Sequence, residues 1–337
     1  MEFDVVFVGT SGSVPTARRG TPSILVRRGG DRFLVDCGEG TQRQLLRSSV
    51  GLVDVPEILL THYHGDHFLG LPGLLKTFGL RGRDAPLTIY GPNGLKDLFH
   101  SLRRVIGRMS YEVRLVELEP GDVVQRNGFR IDAVGVDHGV KAVGYAFVED
   151  ARPGRFDIAA ARDLGIPEGP AWGALQGGKA VRLEDGRSVE PADVLSDERA
   201  GRSVVITGDT RPVRSVVEAA YEAQVLVHDG TFGDSEADRA LATGHSTARE
   251  AAEIARFAGA ELLALVHVSS RYGGSALACE AREVFAETVI PRDFDIVDVP
   301  YPERGPPTLV SGGAAGGPAE GSNAPLEPPF SGDGTPD

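Results

Sequence analysis

Cysteine is nearly missing from this chain: its 337 residues include two, Cys37 and Cys279, far apart and outside any C-x-x-C pair. That excludes a disulfide framework and a thiolate zinc cage, so a metal here must be held by nitrogen and oxygen. Long apolar runs are missing too; none approaches the roughly 18 to 20 residues of a membrane span. The start, "MEFDVVFVGTSG", has Glu2 and Asp4 where a secretory signal would be basic, and a cytoplasmic location without a membrane partner is the expectation. Positive charge is in deficit. The formal net charge of -13 argues against a generally basic nucleic-acid binder. The arginines that are present come in groups, among them Arg18 and Arg19, Arg81 and Arg83, and Arg103, Arg104 and Arg108.

What is there is enough for a sizeable core, with 41% hydrophobic residues. Short β-branched runs recur between Gly, Pro and Asp, including "DVVFVG", "PSILVRR", "EILLTH", "FRIDAVGVDH", "SVVITGD" and "ELLALVHV". They are too many for one open sheet and predict two packed sheets in a layered α/β fold. Helical patterns lie between them at "TQRQLLRSS", "GLKDLFHSLRRVI", "STAREAAEIARFAG" and "ALACEAREVFAET", the third with Ser246 as N-cap. Residues 150–198 break the rhythm. They are Gly- and Pro-rich with one short helical patch and read as an insertion protruding from the core. Residues 305–337 have almost no core-forming residues and are expected to be a disordered tail.

Three of the eight histidines fall within six residues, in "THYHGDHFLG", as His62, His64 and His67 with Asp66 among them. A polar turn would explain one or two; H-x-H-x-D-H points to a metal. Other strands also end in metal-capable residues: "DAVGVDH" at His138, "VVITGD" at Asp209 and "LLALVH" at His267. Strand ends along one rim let residues far apart in sequence converge on one cleft. Seven side chains, His62, His64, Asp66, His67, His138, Asp209 and His267, are too many for one tetrahedral zinc and right for two that share a carboxylate. Imidazole and carboxylate suit Zn²⁺, with Mn²⁺ or Fe²⁺ as alternatives. Such a pair is machinery for hydrolysis, especially of phosphate esters.

With "THYHGDH", His138, Asp209 and His267 in place, the chain resembles the metallo-β-lactamase superfamily. "LVHVSSRY", "GHSTAREAA", "VVITGDT" and "FLVDCGEGTQRQL" narrow the likeness to ribonuclease Z, which removes the 3′ trailer from precursor tRNA. The resemblance implies a four-layer αββα sandwich over residues 1–304, with residues 150–198 as a protruding arm that grips the tRNA. It implies two Zn²⁺ per subunit: His62, His64 and His138 on one, Asp66, His67 and His267 on the other, Asp209 bridging. Asp66 would be the general base, and His245 a proton donor or oxyanion stabiliser. Asp229 would orient His245, standing where family members commonly have a longer glutamate. Arg18 and Arg19 of the "SVPTARRG" loop, and Gly169 and Pro170 of the arm, would meet the RNA, although the arm carries Asp157, Asp163, Glu168, Glu184, Asp185, Glu190 and Asp193. The family usually works as a homodimer. Other hydrolases of this fold, acting on small phosphodiesters, thioesters or lactones, share the metal ligands and are the alternative.

Overall fold

The strand Phe3–Gly9 shows how the sequence builds layers. Phe3, Val5 and Phe7 point into one apolar core while Val6 and Val8 point into another, so the strand is buried on both faces. The structure, a computed structural model, describes residues 1–52 and 55–312. One sheet has eight strands in the order Thr308–Val310, Ile296–Asp298, Phe3–Gly9, Ser23–Arg28, Asp31–Val35, Glu57–Leu59, Leu87–Pro92 and Val113–Leu118. The other has seven: Thr288–Val289, Leu262–Val266, Val225–Asp229, Ser203–Ile206, Val143–Glu149, Phe129–Gly135 and Val123–Arg126. Each sheet is mixed, antiparallel along one part and parallel along the other. Phe33, packed against Phe129 and Phe147, fills the layer between them.

Helices cover the two outer faces. Leu45, Leu71, Leu74, Leu75 and Leu95 seat the helices Thr41–Arg47, Leu71–Leu80 and Leu95–Ile106 on the first sheet. On the second sheet, Ala248, Ala251, Ala252, Ala255 and Ala258 give the helix Ala248–Ala258 a small-residue face that lies close to the strands. The arrangement is the four-layer αββα sandwich that the resemblance implies. No helix among the described residues is long and apolar enough to cross a membrane.

Residues 150–202 leave the sandwich between two neighbouring antiparallel strands, whose register pairs Val148 with Ser203. The excursion has its own small core of Ala161, Ile166, Leu175, Val189 and Val194, with Trp172 Nε1 donating to Ile166 O at 3.2 Å. Where the sequence showed one helical patch, the arm has two helices, Ile158–Asp163 and Pro170–Gln176, and a two-stranded ribbon; glycines at 165, 169 and 177 hid the pattern. At its root Glu149 accepts from Arg28 and bidentately from Arg202, all three buried.

The expected tail boundary at 305 is wrong. Thr308–Val310 pairs with Ile296–Asp298 and extends the first sheet. The short "TLV" run sits among Gly and Pro, and only the partner strand supplies its order. The rest of the expected tail, from 313, lies outside the described residues. The strands Val113–Leu118 and Val123–Arg126 and the helix Leu71–Leu80 were also not foreseen.

Candidate metal centre

The mouth lies where the parallel strands end. His62 follows Glu57–Leu59, Asp209 follows Ser203–Ile206, and His267 follows Leu262–Val266. His138 follows Phe129–Gly135, and the one-turn helix Gly65–Phe68 brings Asp66 and His67 back to the same point.

Each buried imidazole here has its Nδ1 engaged by an oxygen. His62 Nδ1 lies 3.0 Å from Thr61 Oγ1, His67 Nδ1 2.8 Å from Asp36 Oδ2, His138 Nδ1 2.7 Å from Gly244 O, and His267 Nδ1 2.7 Å from Thr231 Oγ1. Donation from Nδ1 fixes the tautomer and leaves each Nε2 lone pair aimed inward. His62 Nε2 and His67 Nε2 are buried without a hydrogen-bond partner. His138 Nε2 faces His64 Nδ1 at 3.1 Å. Imidazole nitrogens left without a hydrogen-bond partner in a buried cluster, as at His62 and His67, are what metal ligation needs. The donor set therefore fits a metal.

Asp209 Oδ2 sits at the centre, 3.3 Å from both His67 Nε2 and His267 Nε2 and 3.7 Å from both His62 Nε2 and His138 Nε2. Donor atoms group as His62, His64 and His138, as Asp66, His67 and His267, and as His62, His67 and Asp209, each within 4.8 Å. Burial would raise the Asp209 carboxyl, but His267 and His67 outweigh it and hold it well below its ordinary range. Burial pushes His62 well down, keeping it neutral. It opposes charge on His67 as well, yet Asp209 and Asp36 override it and push that imidazole well up. The two shifts differ because Asp36 touches only His67. The His67 shift says that the carboxylates here demand positive charge, which a metal ion would supply.

Beside this cluster, His245 is stacked on His267 with centroids 5.0 Å apart, and its Nδ1 lies 2.8 Å from Asp229 Oδ2. Burial works against its charge, but Asp229 prevails and the imidazole is pushed up to about 9. The N-cap of the following helix is Thr247, not Ser246. Thr247 Oγ1 accepts from Glu250 N while Glu250 closes a capping box, and Ser246 Oγ instead donates to Thr210 O at 2.6 Å.

Three supports were not foreseen. Asp36, at φ 59, accepts from Thr61 N at 2.8 Å and from Thr61 Oγ1 at 2.9 Å as well as from His67. It closes "RFLVD", so the strand-end rule that found Asp209 would have found it. Thr231 Oγ1 donates to Asp229 Oδ1 at 2.6 Å and links His267 to that carboxylate. Ser13 N donates to Asp66 Oδ2 at 2.9 Å.

The remaining candidates lie outside the cluster. Arg18 is exposed, whereas Arg19 turns inward, its Nη1 donating to Thr10 Oγ1 at 2.6 Å and to Pro291 O at 2.8 Å. Arg19 thus braces the loop through one edge of its guanidinium. Gly169, at φ 120, and Pro170 are exposed on the arm. His100 is exposed on the helix Leu95–Ile106, and His228 is buried behind Asp229.

Comparison with known proteins agrees with this geometry. The family model described as the metallo-β-lactamase superfamily matches residues 16–267. Ribonuclease Z of Myxococcus xanthus is 50% identical over 284 residues, 83% of this chain and 92% of the relative. That of Natronomonas pharaonis is 48% identical over 312 residues, 90% of this chain and 100% of the relative. Among solved structures, the short form of human tRNase Z superposes with a TM-score of 0.64 at 27% identity, covering 88% of this chain and 99% of its own.

Proposed function

This chain belongs to the ribonuclease Z family of the metallo-β-lactamase superfamily, and on that premise we propose how its residues carry out tRNA 3′ processing. It is an endoribonuclease that cuts precursor tRNA after the discriminator nucleotide, leaving a 3′-hydroxyl on the tRNA. One observation carries the reading: buried Nε2 atoms with no protein partner face a buried carboxylate at the mouth.

His62, His64 and His138 would hold one Zn²⁺ and Asp66, His67 and His267 a second, with Asp209 shared; Mn²⁺ and Fe²⁺ suit the same donors. When bound, the cations supply a water acidified for attack and offset the charge of the phosphate. Asp66, oriented by Ser13 N, accepts the proton of the attacking water as its oxygen bonds to phosphorus. The bond from phosphorus to the 3′-oxygen breaks. His245, charged at neutral pH and steadied by Asp229, gives that oxygen a proton. The phosphate stays on the trailer.

The arm would hold the RNA through Gly169 and Pro170, and Arg18 would meet the backbone near the mouth. The arm springs from Val148 and Ser203, whereas Asp209, six residues on, lies at the mouth, a strand length of about 20 Å away. An arm rooted at the far end serves the mouth of a second subunit more readily than its own, which supports a homodimer. Free thiols at Cys37 and Cys279 accord with a cytoplasmic site. The test is to incubate purified protein with precursor tRNA, with and without chelator, and map both product ends. Hydrolysis of small phosphodiesters with no tRNA cleavage would favour the other hydrolases of this fold.

A further inference from the structure

The chain is acidic overall, yet residues 71–110 carry seven Lys and Arg against two Asp. The excess is concentrated where two helices end. Leu71–Leu80 and Leu95–Ile106 pack side by side on the first sheet, and Lys76 Nζ donates to Arg108 O at 3.2 Å, tying their far ends together. Arg81, Arg103, Arg104 and Arg108 are exposed there and make no ion pair among the described residues. Cations at helix C-termini do complement the helix dipole, but one or two suffice for that. Some exposed arginines elsewhere pair with carboxylates, as at Arg114 with Glu112, Arg162 with Glu168 and Arg187 with Asp185, whereas others, such as Arg43, Arg182 and Arg256, make no ion pair among the described residues. What distinguishes this face is concentration: four unpaired guanidiniums gather where two adjacent helices end, in a chain of net charge -13.

We propose that this face, centred on Arg103, Arg104 and Arg108, binds the phosphate backbone of paired RNA in the substrate. The inference rests on the nuclease reading and adds a second contact surface to it. The helix Leu95–Ile106 starts at Gly94, beside the ring of Tyr63 in the "THYHGDH" loop, and its 12 residues span about 18 Å. The arginine face therefore lies toward the end of the sandwich from which the arm springs. An RNA held by the arm can reach it. Paired rather than single-stranded RNA follows from what else is exposed: Leu80, Val105 and the single imidazole of His100 are, but no Phe, Tyr or Trp ring is, so the face has no series of rings on which successive unpaired bases could stack. Two isolated aliphatic side chains are ordinary on a protein surface.

The test replaces all three arginines together, Arg103→Gln, Arg104→Gln and Arg108→Gln, in the full chain. Because the side chains are exposed, the melting temperature should stay close to that of the parent. Binding of a precursor tRNA transcript is read by fluorescence anisotropy across a salt series. Losing three phosphate contacts should weaken binding about tenfold or more in dilute salt and flatten the log–log salt slope by about 2 to 3. Turnover of bis-p-nitrophenyl phosphate should not change. Unchanged tRNA affinity and slope overturn the proposal, and so does a variant that keeps RNA binding but loses binding to phosphatidylserine vesicles. Failure of the parent protein to cut the transcript would count against the nuclease reading instead, while the binding series still decides the role of the face.

Discussion

At the mouth, His62, His138, His267 and Asp209 are buried at strand ends that the sandwich holds from both faces, with His67 buried beside them on a one-turn helix; in the arm, a core of five residues supports a segment whose charged groups are nearly all in water. The imidazoles of the mouth are each held through Nδ1 by Asp36, Thr61, Thr231 or Gly244. The arm is anchored at its root, through Glu149, Arg202 and the pairing of Arg152 and Arg199 with Glu303. A centre that must place several donors around cations needs the large core beneath it, whereas an element that meets an RNA backbone needs reach and exposed chain. The two can therefore be broken separately.

The largest effect is expected at the mouth. Asp66→Ala should lower turnover of both precursor tRNA and a small phosphodiester by about 10²- to 10⁴-fold with the melting curve preserved, as assayed on both substrates. If tRNA cleavage alone fell, Asp66 would belong to RNA binding and not to chemistry. Next comes the arm: joining Asp150 to Gly201 by a short turn should abolish tRNA processing and spare small-substrate hydrolysis, because the register of Val148 with Ser203 survives. Equal loss of both activities would show that the regions are not separable.

The root sharpens the comparison through stability. Glu149→Ala leaves the buried guanidiniums of Arg28 and Arg202 without their partner and should cost about 3–5 kcal/mol in urea unfolding. A smaller effect concerns acid. Burial would raise the Glu149 carboxyl, but Arg202 outweighs it and holds it below the ordinary glutamate range. A carboxyl depressed by folding stabilises above its unfolded value, about 4.3, and loses that contribution as pH falls through its folded value. Stability measured from pH 5 downward should thus fall less steeply in Glu149→Gln than in the parent. Parallel curves would assign the acid lability to other carboxylates.

How much of this was legible in the sequence followed from physical range. The donors of the mouth are legible because they are local patterns: His62, His64, Asp66 and His67 form one H-x-H-x-D-H cluster, and His138, Asp209 and His267 each follow an apolar strand, as Asp36 does too. Thr231 and Ser13 could not be found, since a hydroxyl and a backbone N–H carry no signature until the fold brings them within 3 Å of a carboxylate. The cap at Thr247 is not legible beside Ser246, because Ser is the more favoured N-cap and only the bond from Glu250 N to Thr247 Oγ1 distinguishes them. Thr308–Val310 was missed because its order comes from pairing with Ile296–Asp298.

The most direct test of the central claim is elemental analysis of the purified chain beside His138→Ala and His267→Ala. If the donors converge as described, the parent retains two divalent cations per chain, each variant retains fewer, and tRNA cleavage falls with metal content. A parent that holds no metal after dialysis and still processes tRNA in the presence of chelator would contradict the account.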